Sequence, residues 1–186
     1  MDLEKISSLK WLSRTGWMLR GIPNAVAESV ASHSFEVALI SLELASLCRK
    51  EGFSLDLGKV LIMALLHDVP EAVTGDIVKW SKVRINDEGR LETEALHELR
   101  MDEYVGLIKE FNEGRTIESQ IVKISDHVST MLQAARYYRQ GFREVEDIVK
   151  GSSSSIDLLL QKEPVFGCSA IIKERLSEWM RTSTHM

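Results

Sequence analysis

His67 and Asp68 are consecutive and stand directly after the apolar run 60–66. Neighbouring side chains on a helix diverge by about 100°, but over a helix end an imidazole and a carboxylate can still converge on one ion. Burying a lone carboxylate is expensive. Asp68 therefore either faces water where the helix stops or meets a cation. Asp126 poses the same choice, because it stands between Ile124 and Val128 inside a long helical stripe. Asp is a poor interior helix residue, so it belongs to an exposed face or to a binding site. His33 opens another stripe, with Ser32 as the expected N-cap, and is either structural or a ligand. His127 points about 100° away from Asp126 and reads as a surface or packing histidine. His97, in a charged helix, and His185, in the terminal tail, lack supporting neighbours.

The elements that would position these residues are helical. Only three prolines occur, and runs of β-branched alternation are absent. Val37, Ile40, Leu44 and Leu47 form one stripe ending before Gly52, and Leu57, Val60, Leu61, Ala64 and Leu65 form a second with Asp56 as N-cap. Thr93 is the expected cap of a third helix through Leu96, Leu99 and Ile108, stopping near Gly114. The fourth and longest stripe, Ile117 to Ala135, should end near Gly141. Asn86, Asp87, Glu88 and Gly89 signal a turn, and Ser152 to Ser155 reads as a loop or a helix start. Pro164 precedes a last helix with Ile172, Leu176 and Trp179 on one face. Leu3, Ile6, Leu9 and Leu12, followed by Trp17, should pack an N-terminal segment onto the rest. Pro70 biases Val69 away from the helical region, so the helix carrying His67 should break there and Glu71 should begin a new short one. The expected architecture is all-α, one domain over 1–186.

Composition narrows the function classes. The chain has 186 residues, 44% hydrophobic and 27% charged, with a net charge of −5. That describes a soluble globular domain without the basic face that duplex nucleic acid requires. The N-terminus lacks the apolar core of a signal peptide, and the run 60–66 is too short for a bilayer. No membrane association and a cytoplasmic location are expected. Cys48 and Cys168 lie in different segments without CxxC spacing and are expected to be buried free thiols.

Taken in order, His33, His67-Asp68 and Asp126 resemble the metal motifs of the HD-domain phosphohydrolases, and the likeness extends beyond those four residues. Glu28 through His33 resembles the first metal motif, and Lys123 through Asp126 the last. His67-Asp68, then Glu71, then Gly75-Asp76 resembles the HDxxE…GD pattern of the 5′-deoxynucleotidase branch, and Arg14-Thr15-Gly16-Trp17 its N-terminal motif. The likeness spans roughly 9–138, with helices over 142–182 packing on that core. It implies an HD-domain helical bundle with His33, His67, Asp68 and Asp126 as metal ligands. It further implies Glu71 and Asp76 as catalytic residues, and Arg14, Asp76 and Trp17 as substrate-binding ones. Arg14 would clamp phosphate, since a guanidinium matches phosphate oxygens as a bidentate fork. Arg20 and Lys79 are lesser phosphate contacts, and Glu28 either orients the neighbouring ligand helix or is exposed.

Two imidazoles and two carboxylates suit a divalent Mn, Co, Ni, Zn or Fe ion and argue against a thiolate-type site. Open positions for water and a phosphate oxygen suit hydrolysis. The resemblance implies a small-molecule nucleotide substrate, a 2′-deoxynucleoside 5′-monophosphate cleaved to deoxynucleoside and phosphate, and a homodimer. A phosphodiesterase, nucleoside triphosphatase or alarmone hydrolase of the same superfamily is the alternative, as is a metal-binding regulatory protein without efficient catalysis.

Overall fold

A computed structural model describes residues 1–85 and 88–184, and among them every regular element is helical. A short N-terminal helix α1 (Leu3–Ser7) and a single turn α2 (Thr15–Met18) lead into α3 (Val30–Lys50) and α4 (Leu57–Leu66). Two further turns, α5 (Glu71–Thr74) and α6 (Lys79–Lys82), precede α7 (Glu88–Glu98) and α8 (Val105–Glu113). The long α9 (Ile117–Arg139) is followed by α10 (Glu146–Leu159) and α11 (Ser169–Thr184).

Helix α9 is the axis of the bundle and packs against α3, α4, α8, α10 and α11. Its start is well specified: Thr116 and Ser119 form a reciprocal capping box, and Glu118 lies in the first turn. Its apolar residues Ile121, Ile124 and Val128 join Val37, Leu44, Val60 and Met63 in the main core. The N-terminal segment closes one end, where Leu9 packs with Val30, Val69, Leu96 and Leu99. At the other end Trp17 and Ile22 pack with Tyr137 and Val145.

Several local expectations hold. The Asp56 side chain accepts the Lys59 N–H and caps α4. α4 ends at Leu66, and α5 begins at Glu71 immediately after Pro70. α9 stops just short of Gly141, whose φ is 103°. Others are corrected. The cap of α3 is Ser29, which accepts the Ser32 N–H, so Ser32 lies inside the helix. The third stripe is two helices, because Arg100 adopts φ 55° and turns the chain so that Leu99 and Met101 both bury. Thr93 is accordingly mid-helix, donating to the Gly89 carbonyl. The serine run lies inside α10, with Ser152 buried. Of the expected turn, Glu88 and Gly89 begin α7, while Asn86 and Asp87 lie outside the described residues, as does His185.

Cys48 and Cys168 are not free thiols. α3 and the turn before α11 bring their Cα atoms to 5.6 Å, a separation a disulfide spans, and the two are bonded across 120 residues. By length and composition α3 is apolar enough to cross a bilayer, which the run 60–66 did not reveal. Its inner side supplies core residues Val37, Leu44 and Ala45, while Phe35, Leu39 and Leu42 on its outer side are exposed.

Candidate metal centre and cleft

Three helical segments deliver the four expected donors to one place. α3 supplies His33, the C-terminal end of α4 supplies His67 with Asp68 following, and the middle of α9 supplies Asp126. One ligand atom each from His33, His67 and Asp68 lies within 4.8 Å of the other two. Asp126 joins them through Oδ1, 3.0 Å from His33 Nε2. Asp68 Oδ2 stands 3.2 Å from His67 Nε2 and 3.8 Å from His33 Nε2.

The hydrogen bonds around His67 identify what the cluster can hold. Its Nδ1–H donates to the Ala64 carbonyl at 2.8 Å, which aims Nε2 at the other donors. That Nε2 is buried and stands 3.2 Å from a carboxylate oxygen of Asp68. A buried ring nitrogen so close to a carboxylate calls for a positive charge between them, a proton or a metal ion. Two imidazoles and two carboxylates therefore fit a divalent cation. His33 is braced from behind: Ser129 Oγ lies 3.2 Å from its Nδ1 and donates to Glu36 Oε2 at 2.9 Å. Glu36 is in turn gripped by Arg136 at 2.6 Å. Such backing holds a ligating ring in orientation.

Electrostatics follow from burial and from opposite charges. Burial alone would raise Asp68, but His67, His33 and Arg14 outweigh it and hold the carboxyl below the ordinary carboxylate range. Asp126 behaves likewise, with burial overcome by His33, His67 and Arg14. His67 is raised, since its two carboxylate neighbours exceed the cost of burial. Glu71 goes the other way. Burial, then Asp68 and Asp76, push it up to about 10, and its Oε2 is buried with no hydrogen-bond partner among the described residues. Lys82 Nζ lies 3.9 Å from its other oxygen.

Arg14 Nη1 lies 2.8 Å from His33 Nδ1 and donates to Thr130 Oγ1 at 3.2 Å, which sets its guanidinium beside the cluster. Asp76 binds the chain next to Arg14. Its carboxylate accepts the Thr15 N–H, and its carbonyl accepts the Thr15 hydroxyl at 3.0 Å. Gly75 makes this possible with φ 72° and ψ 165°, a conformation essentially reserved for glycine. Trp17 is only 2% exposed and donates its indole N–H to Glu28 at 3.0 Å, packing edge-on against Tyr137. It is part of the packing beneath the cleft and reaches the cleft lining with the little surface it keeps. Glu28 is buried between Trp17 and Arg14, with its carboxylate 3.9 Å from the guanidinium. Arg20 pairs with Asp147 at 2.7 Å at the cleft margin, away from the donor cluster. The Lys79 side chain lies outside the described residues. His127 lines the cleft without joining the donors, and His97 is exposed and paired with Asp102.

The donors open into a cavity of about 460 Å³, large enough for a small organic ligand. Its lining includes the charged Arg14, Asp68, Glu71, Asp76 and Asp126 and also Trp80, Leu19, Ile148 and Gly151. The contribution of α10 was not visible in the sequence. Ser129 and Thr130 had a signal: they follow Asp126 by three and four positions, or one turn, on the same helix face.

An HD-domain family model matches residues 6–158. A 5′-deoxynucleotidase of Dictyostelium discoideum is 31% identical over 71% of this chain and 73% of its own length. A 5′-deoxynucleotidase of Schizosaccharomyces pombe is 28% identical over 74% and 71%. A dATP triphosphohydrolase of Salmonella phage PMBT28 is 34% identical over 63% of this chain and 58% of its own. Among solved structures, a conserved hypothetical protein of Pyrococcus furiosus superposes with a TM-score of 0.80 at 31% identity, covering 92% of this chain and 95% of that one. A Pyrococcus horikoshii protein gives 0.78 at 31% identity, covering 94% and 99%.

Proposed function

Since the chain belongs to the HD-domain family, we propose that it is a metal-dependent phosphohydrolase acting as a 5′-deoxynucleotidase. The observation that carries this reading is the buried Nε2 of His67 standing 3.2 Å from Asp68, a carboxylate that lines a ligand-sized cleft. His33, His67, Asp68 and Asp126 would hold a divalent ion, of the Mn, Co, Ni, Zn or Fe group by donor type. Such an ion supplies charge neutralisation on the phosphoryl oxygens and eases deprotonation of water.

The chain's own residues do the rest. Arg14 sits beside the cluster and takes a phosphate oxygen through its free N–H groups. In the metal-free protein burial, Asp68 and Asp76 favour a protonated Glu71. It is therefore the group that would give its proton to the departing 5′-oxygen and regain one from the attacking water. Asp76 faces the substrate side of the cleft and ties α2 to the loop after α5.

Phosphate release should be measured from matched 2′-deoxy- and ribonucleoside 5′-monophosphates, using protein stripped of metal and resupplied with Mn²⁺ or Co²⁺. Release from the deoxy set, with little from the ribo set, is expected. No release from either sinks the reading. The phage relative's activity favours a second one, a triphosphohydrolase. In that case dATP in the same assay would yield inorganic triphosphate. Metal binding without turnover of any of these would mark a regulatory protein.

A cytoplasmic location, where such nucleotides are found, belongs to the same proposal, as does a homodimer. The outward stripes of α3 and α4, which pack against each other, carry Phe35, Leu39, Leu42, Ile62 and Leu65 at 63%, 52%, 37%, 43% and 49% exposure. Together these expose on the order of 500 Å² of apolar surface, about the apolar share of the ~800 Å² each partner gives to an ordinary interface. The nearest carboxylates on α3 are already neutralised, Glu36 by Arg136 and Glu43 by Arg175. A second copy of the same face thus meets no like charge across a two-fold axis.

A further inference from the structure

The cleft lining is of two chemical kinds. Asp68, Asp126, Arg14 and Glu71 are charged. Trp80 from α6, Leu19, and Ile148 and Gly151 of α10 are aromatic, apolar or small. The charges of Arg20 and Asp147 cancel in an ion pair.

Trp80 is 67% exposed, although an indole offers a large area to bury. It is nonetheless held in place. The Arg84 guanidinium carbon lies 3.9 Å from the ring centroid, and Arg84 Nη1 donates to the Trp80 carbonyl at 2.8 Å. Trp80 lines the cavity and Arg84 does not. One π-face is thus covered by a cation, and the indole keeps most of its area exposed at the cavity.

Resting on the nucleotidase reading, we infer that Trp80 is the platform on which the base of the nucleotide stacks, with Arg84 bracing it from behind. A flat, neutral aromatic group is the ligand part that suits an exposed indole in a cavity also lined by apolar and small side chains. The charged residues take the phosphate of the same molecule. Stacking accepts every base, because each has a π-face. Trp80 therefore sets affinity for base-bearing substrates and does not choose among bases.

The experiment compares dAMP with 2-deoxyribose 5-phosphate, which lacks the base, for the wild type, Trp80→Ala and Trp80→Phe. Loss of the platform should raise the KM for dAMP about tenfold or more, with kcat kept and both parameters for the base-free ester unchanged. Trp80→Phe should restore most of the affinity. An unchanged KM for dAMP overturns the inference and leaves the nucleotidase reading standing. An equal loss on both esters also overturns it, by marking a structural role. Calorimetric binding of dAMP and of the base-free ester to the same proteins decides the matter separately from turnover. If the wild type hydrolyses neither compound, the nucleotidase reading falls. Weaker dAMP binding in Trp80→Ala, without weaker binding of the base-free ester, then still supports the platform, and equal binding refutes it.

Discussion

At the scale of single residues, Glu71 and Asp126 are separated by what their neighbours ask of them. Asp126 faces two imidazoles and Arg14 and is held as an anion, as a cation ligand must be. Asp126→Ala should lower affinity for Mn²⁺ or Co²⁺ by at least the ~10–100-fold that losing even an outer partner of a ligand costs. Unchanged metal content after dialysis would remove Asp126 from the ligand set. Glu71 faces carboxylates and keeps its proton. In the metal-free protein burial, Asp68 and Asp76 push it up to about 10 from an ordinary value of 4.5. Between those pH values the unfolded chain has released a proton that the folded protein retains, so stability from this group falls as pH rises through that window. Glu71→Gln mimics the protonated shape at every pH. It should leave metal content intact, abolish most phosphate release, and raise the stability of the metal-free protein above pH 7 by on the order of 1–3 kcal/mol. Full activity in that variant would refute the proton-carrying role. A pH–stability profile parallel to wild type would refute the raised pKa.

At the scale of elements, the break after α4 is what turns a linear motif into a site. Pro70 ends the α4 segment and begins α5, so Glu71 turns back beside Asp68, and Gly75 then swings the chain so that Asp76 reaches Thr15. Gly75→Ala has open space for its Cβ but the wrong backbone. It should cost about 1–3 kcal/mol and reduce kcat more than metal affinity, because Asp76 moves while the donors stay. A melting temperature equal to wild type would mean the turn tolerates a side chain. This break was legible from Pro70, as α4 and α9 were from their stripes and caps. The split between α7 and α8 was not, because it depends on Arg100 entering the left-handed region so that Leu99 and Met101 can both bury. Each metal donor alone fits a bland role, and only their order along the chain carried information. The α10 wall of the cleft and the Cys48–Cys168 bond lie across long sequence separations and leave no local pattern. Expecting free thiols rested on cellular compartment, which says nothing about which Cα atoms the bundle brings together.

At the scale of the whole molecule, the uncharged outer face of α3 and α4 has to be reconciled with solubility. Natural surfaces break up apolar stripes of this size with charge unless something covers them. Here, Phe35, Leu39 and Leu42 succeed one another along α3 with Glu36 and Glu43 nearby, already bound to Arg136 and Arg175. In a two-fold dimer every residue of that stripe is used twice, so one substitution at its centre is paid for in both copies. Leu39→Lys should therefore place two desolvated ammonium groups in one interface and shift the equilibrium to monomer. At micromolar concentration the wild type should sediment at twice the chain mass of 21.0 kDa and the variant at that mass itself. Leu39 is far enough from the donors, on the opposite side of α3 from His33, that the monomer should keep its metal and its specific activity. A wild-type chain that is monomeric at tens of micromolar would defeat the dimer outright. A monomeric variant that has lost activity with its metal still bound would show instead that the cleft needs the second copy to keep its shape.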